Sequence, residues 1–448
     1  MSSDFSIPNG WSSVKLSDLG EVNRGRSRYR PRYAEHLYGG PYPFVQTGDI
    51  KASGGRITCY SQTYSEDGLK QSRLWPEGTL CITIAANIAE TGVLNFPACF
   101  PDSVIGFIAD SEKCNVYFIE YCFRVLRKDI QRQATGSVQD NINLQTLERL
   151  RFPIPALSEQ RRIASILCRL DEKITLNTQI NQTLEQMAQA LFKSWFVDFD
   201  PVIDNALEAC NPIPKPLAER AARRQAMWAA GNEPAPARLS AETRRLFPNR
   251  FEKDETLGWG PAGWESRKVL DLFELHRGFD LPTSKREHGS YPVFAAGGHH
   301  GTHSEFKMEP PGVITGRSGV IGSVYLSLEK YWPLNTSLYV RNYKVAGPYY
   351  AYHFLRRMDL GALNSGSAVP SLNRNYVHSS PALCPPVGLV VCFEKAVSCF
   401  FEKIALNNKQ SESLSALRDT LLPKLLSGEL KLPEAEAAVE TALEVEPA

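Results

Sequence analysis

The chain has 448 residues and a net charge of only +1, with 50 Lys and Arg against 49 Asp and Glu. That length holds several domains, and the near balance of charge excludes a uniformly basic polypeptide while leaving local patches open. No apolar run approaches the roughly 18 residues of a membrane span, the polar Met1–Asn9 lacks a signal-peptide pattern, and the ten cysteines contain no Cys-x-x-Cys pair, so a cytoplasmic protein with reduced thiols is expected.

Residues 1–155 alternate short β-type runs with Gly, Pro, Asn and Asp turns. The runs fall at Tyr42–Gln46, Thr79–Ala85 and Val104–Ala109, and a helix is predicted over Glu112–Lys128 with Tyr117, Tyr121, Val125 and Leu126 along one side. This pattern predicts an α+β domain. Upstream of the runs, Arg24, Arg26, Arg28, Arg30 and Arg32 alternate with Gly25, Ser27, Tyr29 and Pro31. Such a segment suits a phosphate backbone, the alternative being a solvated cationic loop.

After Pro153 and Pro155 the period changes. Ile163, Ile166, Leu170, Lys173, Asn177, Ile180, Leu184, Met187 and Leu191 recur at three-four spacing, which predicts a long helix with a seam for another helix over 156–198, begun by Ser158. The alternative is a surface helix packed on its own domain. Residues 199–262 are rich in Pro, Ala and Arg and read as a connector with a short helix at Leu217–Ala229. A second α+β domain is predicted over 263–386, with strands at Tyr291–Phe294, Gly312–Thr315 and Ser323–Leu326 and a helix at Gly347–Met358. A second long helix follows at 387–428, and the Glu-rich 429–448 reads as a disordered acidic tail.

The two halves are copies. Gly136-Ser137, Asn143, Pro155 and Lys173-Ile174 return 230 residues later as Gly366-Ser367, Asn373, Pro385 and Lys403-Ile404, and Gly10-Trp11 returns as Gly263-Trp264. Agreement is best in the last 40 or so residues of each half and poorest in the loops, in a duplicated domain rather than a solenoid. Lys173 and Asn177, with Lys403 and Asn407, interrupt the seams, and polar seam residues fix register and partner. The helices of one chain are therefore expected to pair antiparallel, as a coiled-coil spacer with pseudo-twofold symmetry. The pairing residues are Lys173, Asn177, Leu184, Lys403, Asn407 and Leu414.

Enzyme machinery is missing from the sequence. There is no nucleotide-phosphate loop of the Gly-x-x-x-x-Gly-Lys-Ser/Thr type, no dinucleotide fingerprint and no Asn/Asp-Pro-Pro-aromatic segment of an amino-methyltransferase. Gly316–Gly322 has the wrong glycine spacing for a phosphate loop and reads as a β-turn whose protruding tip, Arg317 and Ser318, suits a base edge or phosphate. His299, His300 and His303 with Glu305 lie among glycines, an exposed turn suited to DNA rather than to a metal.

Across almost the whole chain the motifs resemble the DNA-specificity subunit of type I restriction-modification systems. They comprise the Gly-Trp starts, the Gly-Ser loop before Phe152-Pro-Ile-Pro155, Glu159-Gln160 with Ile163-Ala164, Met187–Phe199, and Leu421–Leu430. The resemblance implies two target-recognition domains, each contacting one half of an asymmetric, bipartite site in double-stranded DNA, with the paired helices setting the gap. It implies two methyltransferase subunits and two motor-nuclease subunits as partners, with S-adenosylmethionine, ATP and Mg on those partners, none on this chain, and no membrane. Residues expected at DNA are Arg24, Arg26, Arg28, Arg30, Asn87, Ser137, Gln139 and Asn141 in the first domain. In the second they are Arg277, Lys285, Arg286, His299, His300, Arg317, Ser318, Ser365, Ser367 and Arg374. Two other classes stay open, a coiled-coil scaffold without sequence readout and an autonomous nuclease.

Overall fold

The computed structural model describes residues 7–27, 31, 34–85, 87–135, 144–231, 239–366 and 368–444. The architecture is α+β, with two similar domains and two long antiparallel helices, Leu157–Phe196 and Val387–Leu426, of 40 residues each. The chain divides into two compact units, Met1–Asn177 with Lys409–Ala448, and Thr178–Asn408, so each unit contains part of both long helices.

In the first unit a five-stranded sheet runs in the order Gly20–Arg24, Val104–Ala109, Leu80–Thr83, Thr91–Leu94, Arg56–Ile57. All neighbours are antiparallel except the last pair. Both faces are covered, which explains why these strands read as continuous apolar runs. Leu80, Ile82, Ile105 and Phe107 face a core shared with Phe118, Tyr121, Cys122 and Leu126 of the Val116–Thr135 helix. Cys81 and Val104, one residue out of step, face Trp75 and Phe100 on the other side.

The second unit keeps the same strand order in four strands, Phe273–Arg277, Ser337–Tyr343, Gly312–Gly316 and Val324–Ser327, all antiparallel. In both units the chain is clasped just before its long helix. Ser12–Val14 pairs with Phe152–Ile154, and Glu265–Lys268 with Pro381–Cys384. The predicted helix at Gly347–Met358 is present as Pro348–Arg357.

Within the first unit the two long helices run antiparallel. Asp171 meets Arg418, and two turns on Asn177, 1% exposed, donates to Gln410 at 2.9 Å and Ser411 at 3.2 Å. In the second unit Asn407, equally buried, donates to Asn181 at 2.8 Å, and Asn181 donates to Asn408 at 2.8 Å. Leu414 is buried and Leu184 half-buried at the seam, but Lys403 and Met187 are exposed and Lys173 is only half-buried. The asparagines, not the lysines, occupy the interior positions, because an amide can be satisfied there in pairs while an ammonium keeps its water.

Two expectations from composition are corrected. The acidic end is a helix, Leu432–Glu444, with Ala435 and Val439 fully buried; Glu436 takes a bidentate pair of bonds from Arg162, both at 3.0 Å. Its apolar residues recur four apart in a stripe flanked by the acids, which a count of glutamates conceals. The connector is also packed. Asp200–Glu208 and Ala218–Ala229 form helices joined by bidentate pairs from Arg220 to Asp200 and from Arg224 to Asp204, while Phe199, Val202 and Ile203 enter the second unit's core beside Trp195 and Trp264. No helix among the described residues is long and apolar enough to cross a membrane.

A buried charge network fastens the first domain to its helices. The Asp171 carboxylate accepts from Arg418 at 2.7 Å and from the Tyr121 hydroxyl at 2.7 Å, and lies 3.0 Å from Arg124, which also holds the fully buried Glu120 at 2.7 Å. Burial works against ionisation of Asp171, yet the two guanidiniums and the hydroxyl keep its pKa below the ordinary aspartate value. Asp171→Ala removes the carboxylate shared by Arg124 and Arg418 and is expected to cost about 3–5 kcal/mol, whereas Asp171→Leu combined with Arg418→Leu loses less, because Arg124 retains Glu120 and the Arg418 charge leaves with its partner. Denaturant midpoints of the single and double variants check the order.

In the second unit Glu394 accepts the first amides of the Pro348–Arg357 helix, from Tyr350 at 2.7 Å and Tyr349 at 3.3 Å. Burial pushes its pKa up to about 7 despite those bonds. A pKa raised by folding gives stability that is complete below the unfolded value and is lost as pH rises toward about 7. Glu394→Gln keeps one acceptor oxygen for the helix end, so its melting temperature relative to the parent chain is expected to rise between pH 5 and pH 8. A flat difference across that range contradicts this account.

Candidate nucleic-acid interface

The antiparallel registers bring particular strand ends together. In the second domain the ends at Arg277, Gly316, Val324 and Ser337 share one edge of the sheet, since Arg277 stands opposite Leu338, Gly316 opposite Ser337 and Thr315 opposite Val324. The first domain repeats this edge with Arg24 opposite Ile105, Thr83 opposite Val104 and Ile82 opposite Thr91. In each, a fully buried threonine clamps the base of the loop that leaves this edge. Thr83 Oγ1 donates to the carbonyls of Asn87 and Glu90, and Thr315 Oγ1 donates to Ser323 O at 2.8 Å.

An Arg-Gly pair ends the first strand of both sheets for a steric reason. A Cβ on Gly25 would stand 2.3 Å from Pro101 O, and one on Gly278 would stand 2.1 Å from Leu334 O. Only glycine lets the chain pass so close to the neighbouring backbone, and the arginine before it is held at the edge. Arg24 donates through Nε to Asp102 O, whereas Arg277 donates through Nη2 to Asp280 at 3.1 Å. Arg24, Arg26 and Arg277 are exposed; Arg28, Arg30 and Arg32 lie outside the described residues.

The Gly316–Gly322 turn does not protrude as expected. Ser318 pairs with Ser371, Gly319 N donates to Pro370 O at 2.9 Å and Leu372 N to Arg317 O at 2.8 Å, so the turn is stitched to the 364–372 loop. Arg317 is half-buried and points back, donating to Asn335 O at 3.0 Å, while its own amide and that of Ser318 donate to Thr336 O. Asn364 shapes the loop by accepting from Gly366 N and Ser371 N, and the Ser365 hydroxyl donates to Ser371 O at 2.9 Å. Arg277, Arg317, Ser318 and Ser365 thus belong to one edge. Ser367, and Ser137, Gln139 and Asn141 of the equivalent loop in the first half, lie outside the described residues.

The hairpin Tyr291–Ala295 and Gly298–His303 presents its turn to the same edge, for Ala296 N donates to Thr336 Oγ1 at 3.4 Å. His299 and His300 are exposed beside this turn, and Arg286 is bound to the hairpin through His300 Nδ1 at 2.9 Å and His300 O at 3.1 Å. Lys285 is exposed on the preceding turn, and Arg374 opens the short helix Arg374–Ser379. Asn87 in the first domain is half-buried and accepts from Lys51 at 3.4 Å. Lys51, Asp280 and Asn335 were not singled out from sequence. Asp280 carried a signal in its spacing, three residues after the repeated arginine, while Lys51 and Asn335 reach the edge only through the fold.

Residues 8–186 match the family model described as Type I restriction modification DNA specificity domain. The HindI specificity subunit of Haemophilus influenzae is 30% identical over 375 residues, covering 72% of this chain and 80% of that protein. The MjaIX specificity subunit of Methanocaldococcus jannaschii is 24% identical over 461 residues, covering 96% of this chain and 95% of that protein. Among solved structures, the S subunit of a type I restriction-modification system from M. genitalium matches the fold with a TM-score of 0.55 at 16% identity, covering 95% of this chain and 99% of that one. With a duplicated sheet edge, divergent polar loops and relatives of this kind, the chain belongs to the DNA-specificity subunits of type I restriction-modification systems.

Proposed function

We propose that this chain reads an asymmetric bipartite word in double-stranded DNA, one domain to each half-word, and is itself non-catalytic. The observation that carries this reading is the repeated sheet edge. The same strand order, the same Arg-Gly pair and a buried threonine at the loop base support loops with different side chains, as a reader of two different words requires. Arginine, asparagine and serine at such an edge can hydrogen-bond both phosphates and base edges.

The long helices set the gap between half-words. Forty helical residues span about 60 Å, comparable with roughly one and three-quarter turns of B-DNA. The buried amides of Asn177 and Asn407 hold the register, since leucine at these positions would tolerate sliding that an unsatisfied amide does not. Two methyltransferase subunits and two motor-nuclease subunits assemble on this chain in the cytoplasm and supply the chemistry, with S-adenosylmethionine, ATP and Mg held by them. The low net charge fits a reader whose phosphate grip is shared with partners.

A seven-residue insertion after Leu176, matched by seven after Ser411 so that the seam stays in phase, is expected to lengthen the gap and leave both half-words intact. Sequencing of methylated bases in a host carrying the whole system reads both quantities at once, and altered half-words with an unaltered gap would refute the spacer role. Exchanging residues 1–150 for those of another member of the family is expected to change one half-word only. If both change, independent readout is wrong; if an unbiased DNA selection with the reconstituted complex yields no word, the chain is a scaffold.

A further inference from the structure

Three polar side chains scattered through the second domain's sequence form one hydrogen-bonded row at the sheet edge, and a fourth, Arg317, joins it through the main chain of Asn335. Arg277 Nη2 donates to Asp280 Oδ1 at 3.1 Å, Asn335 Nδ2 donates to the same oxygen, and Arg317 Nη1 donates to Asn335 O at 3.0 Å. The Arg277 and Asp280 side chains are 50% and 67% exposed. A salt bridge this exposed adds little to stability, so holding the fold together is a weak reason for its presence.

Its geometry suits readout. An arginine identifies guanine by delivering two N–H groups to O6 and N7 in the major groove, which demands a planar fork held in one orientation. Asp280 engages one of the two N–H groups of Nη2 and leaves the other to act with a neighbouring nitrogen of the same guanidinium as a two-donor fork. Gly278 removes slack beneath it, because the backbone carrying Arg277 and Asp280 lies against that of Leu334 and Asn335, and Asn335 N donates to Phe279 O at 2.9 Å. The first domain places Arg24 at the same point of its sheet, but anchors it through Nε on a backbone carbonyl. The position is shared and the anchor differs.

Building on the reading of one half-word per domain, we propose that Arg277 reads a guanine in the second half-word and that Asp280 and Asn335 are its positioning residues. Asp280 also discriminates by repulsion. Its carboxylate disfavours acceptor-rich base edges beside the fork, so its loss relaxes choice more than it weakens binding.

The test uses the full complex in a host without other DNA methylation, with methylated words mapped for the parent chain, Arg277→Ala, Asp280→Ala, Asp280→Asn and Asn335→Ala. Arg277→Ala is expected to admit other bases at one guanine of the second half-word, raising methylation of off-word sites roughly 5- to 150-fold. Asp280→Ala and Asn335→Ala relax that same position more weakly, and Asp280→Asn, which keeps the acceptor, restores most of the discrimination. The first half-word and the gap stay as in the parent. A second half-word without guanine on either strand, an unchanged word in Arg277→Ala, or relaxation by Asp280→Ala at another position overturns the proposal. Should an Asp280 variant fail to assemble, Arg277→Ala alone decides. A parent chain that yields no bipartite word defeats the underlying reading, whereas a bipartite word indifferent to Arg277 defeats only this inference.

Discussion

The buried carboxylate of Asp171 is the constraint on which the first domain's position depends. It belongs to one long helix, Arg418 to the other, and Arg124 and Tyr121 to the domain's own helix, so three elements meet at two oxygens. Such a network is a poor source of net stability, because desolvating its charges offsets most of their attraction. What it supplies is geometry. A domain that must present loops to DNA in a fixed orientation gains from a junction whose members are satisfied in one arrangement and stranded in others.

The second unit solves the same problem with different chemistry. The position 230 residues after Asp171 is Phe401, and the one 230 before Arg418 is Ala188; both are buried. Phe401 stacks on Tyr349 with ring centroids 4.4 Å apart, and Phe192, Phe393 and His353 fill the space around it. Burial drives the pKa of His353 to about 3, so it packs as a neutral ring. One junction is ionic and the other aromatic. In a duplicated chain this difference has a consequence, since exchanging the helical partners would bury Asp171 against an apolar surface and leave Arg418 without its carboxylate.

How far this was legible in sequence depended on whether a local rule governed the residue. The seams, the duplicated order of elements and the α+β character follow from periodicity, which survives packing. The Glu-rich end shows where composition misleads, because Glu440 and Glu444 are exposed and Glu436 pairs with Arg162 on a helix whose Ala435 and Val439 are fully buried. Lys403 shows the converse, a seam phase taken too literally by one turn. At the interface, Arg277 and Arg24 stood out through their repeated glycine, but the inward turn of Arg317 depends on Asn335 and the 364–372 loop, and no linear pattern encodes that meeting.

Divergent loops on a repeated edge are physically reasonable only if the edge does not depend on them. The two buried threonines meet this condition, since each bonds main-chain carbonyls at the base of its loop and is indifferent to the side chains beyond. The two glycines meet it as well, because their requirement is set by the neighbouring backbone and not by the residues that read. The clasp strands and the helix junctions lie outside the loops altogether. Changes at Asn87, Arg317 or Asp280 therefore act on surface bonds of small energetic worth, whereas changes at Gly278, Thr315 or Asp171 act on buried contacts of the frame. On the proposed reading, that separation lets the word vary while the frame that presents it stays the same.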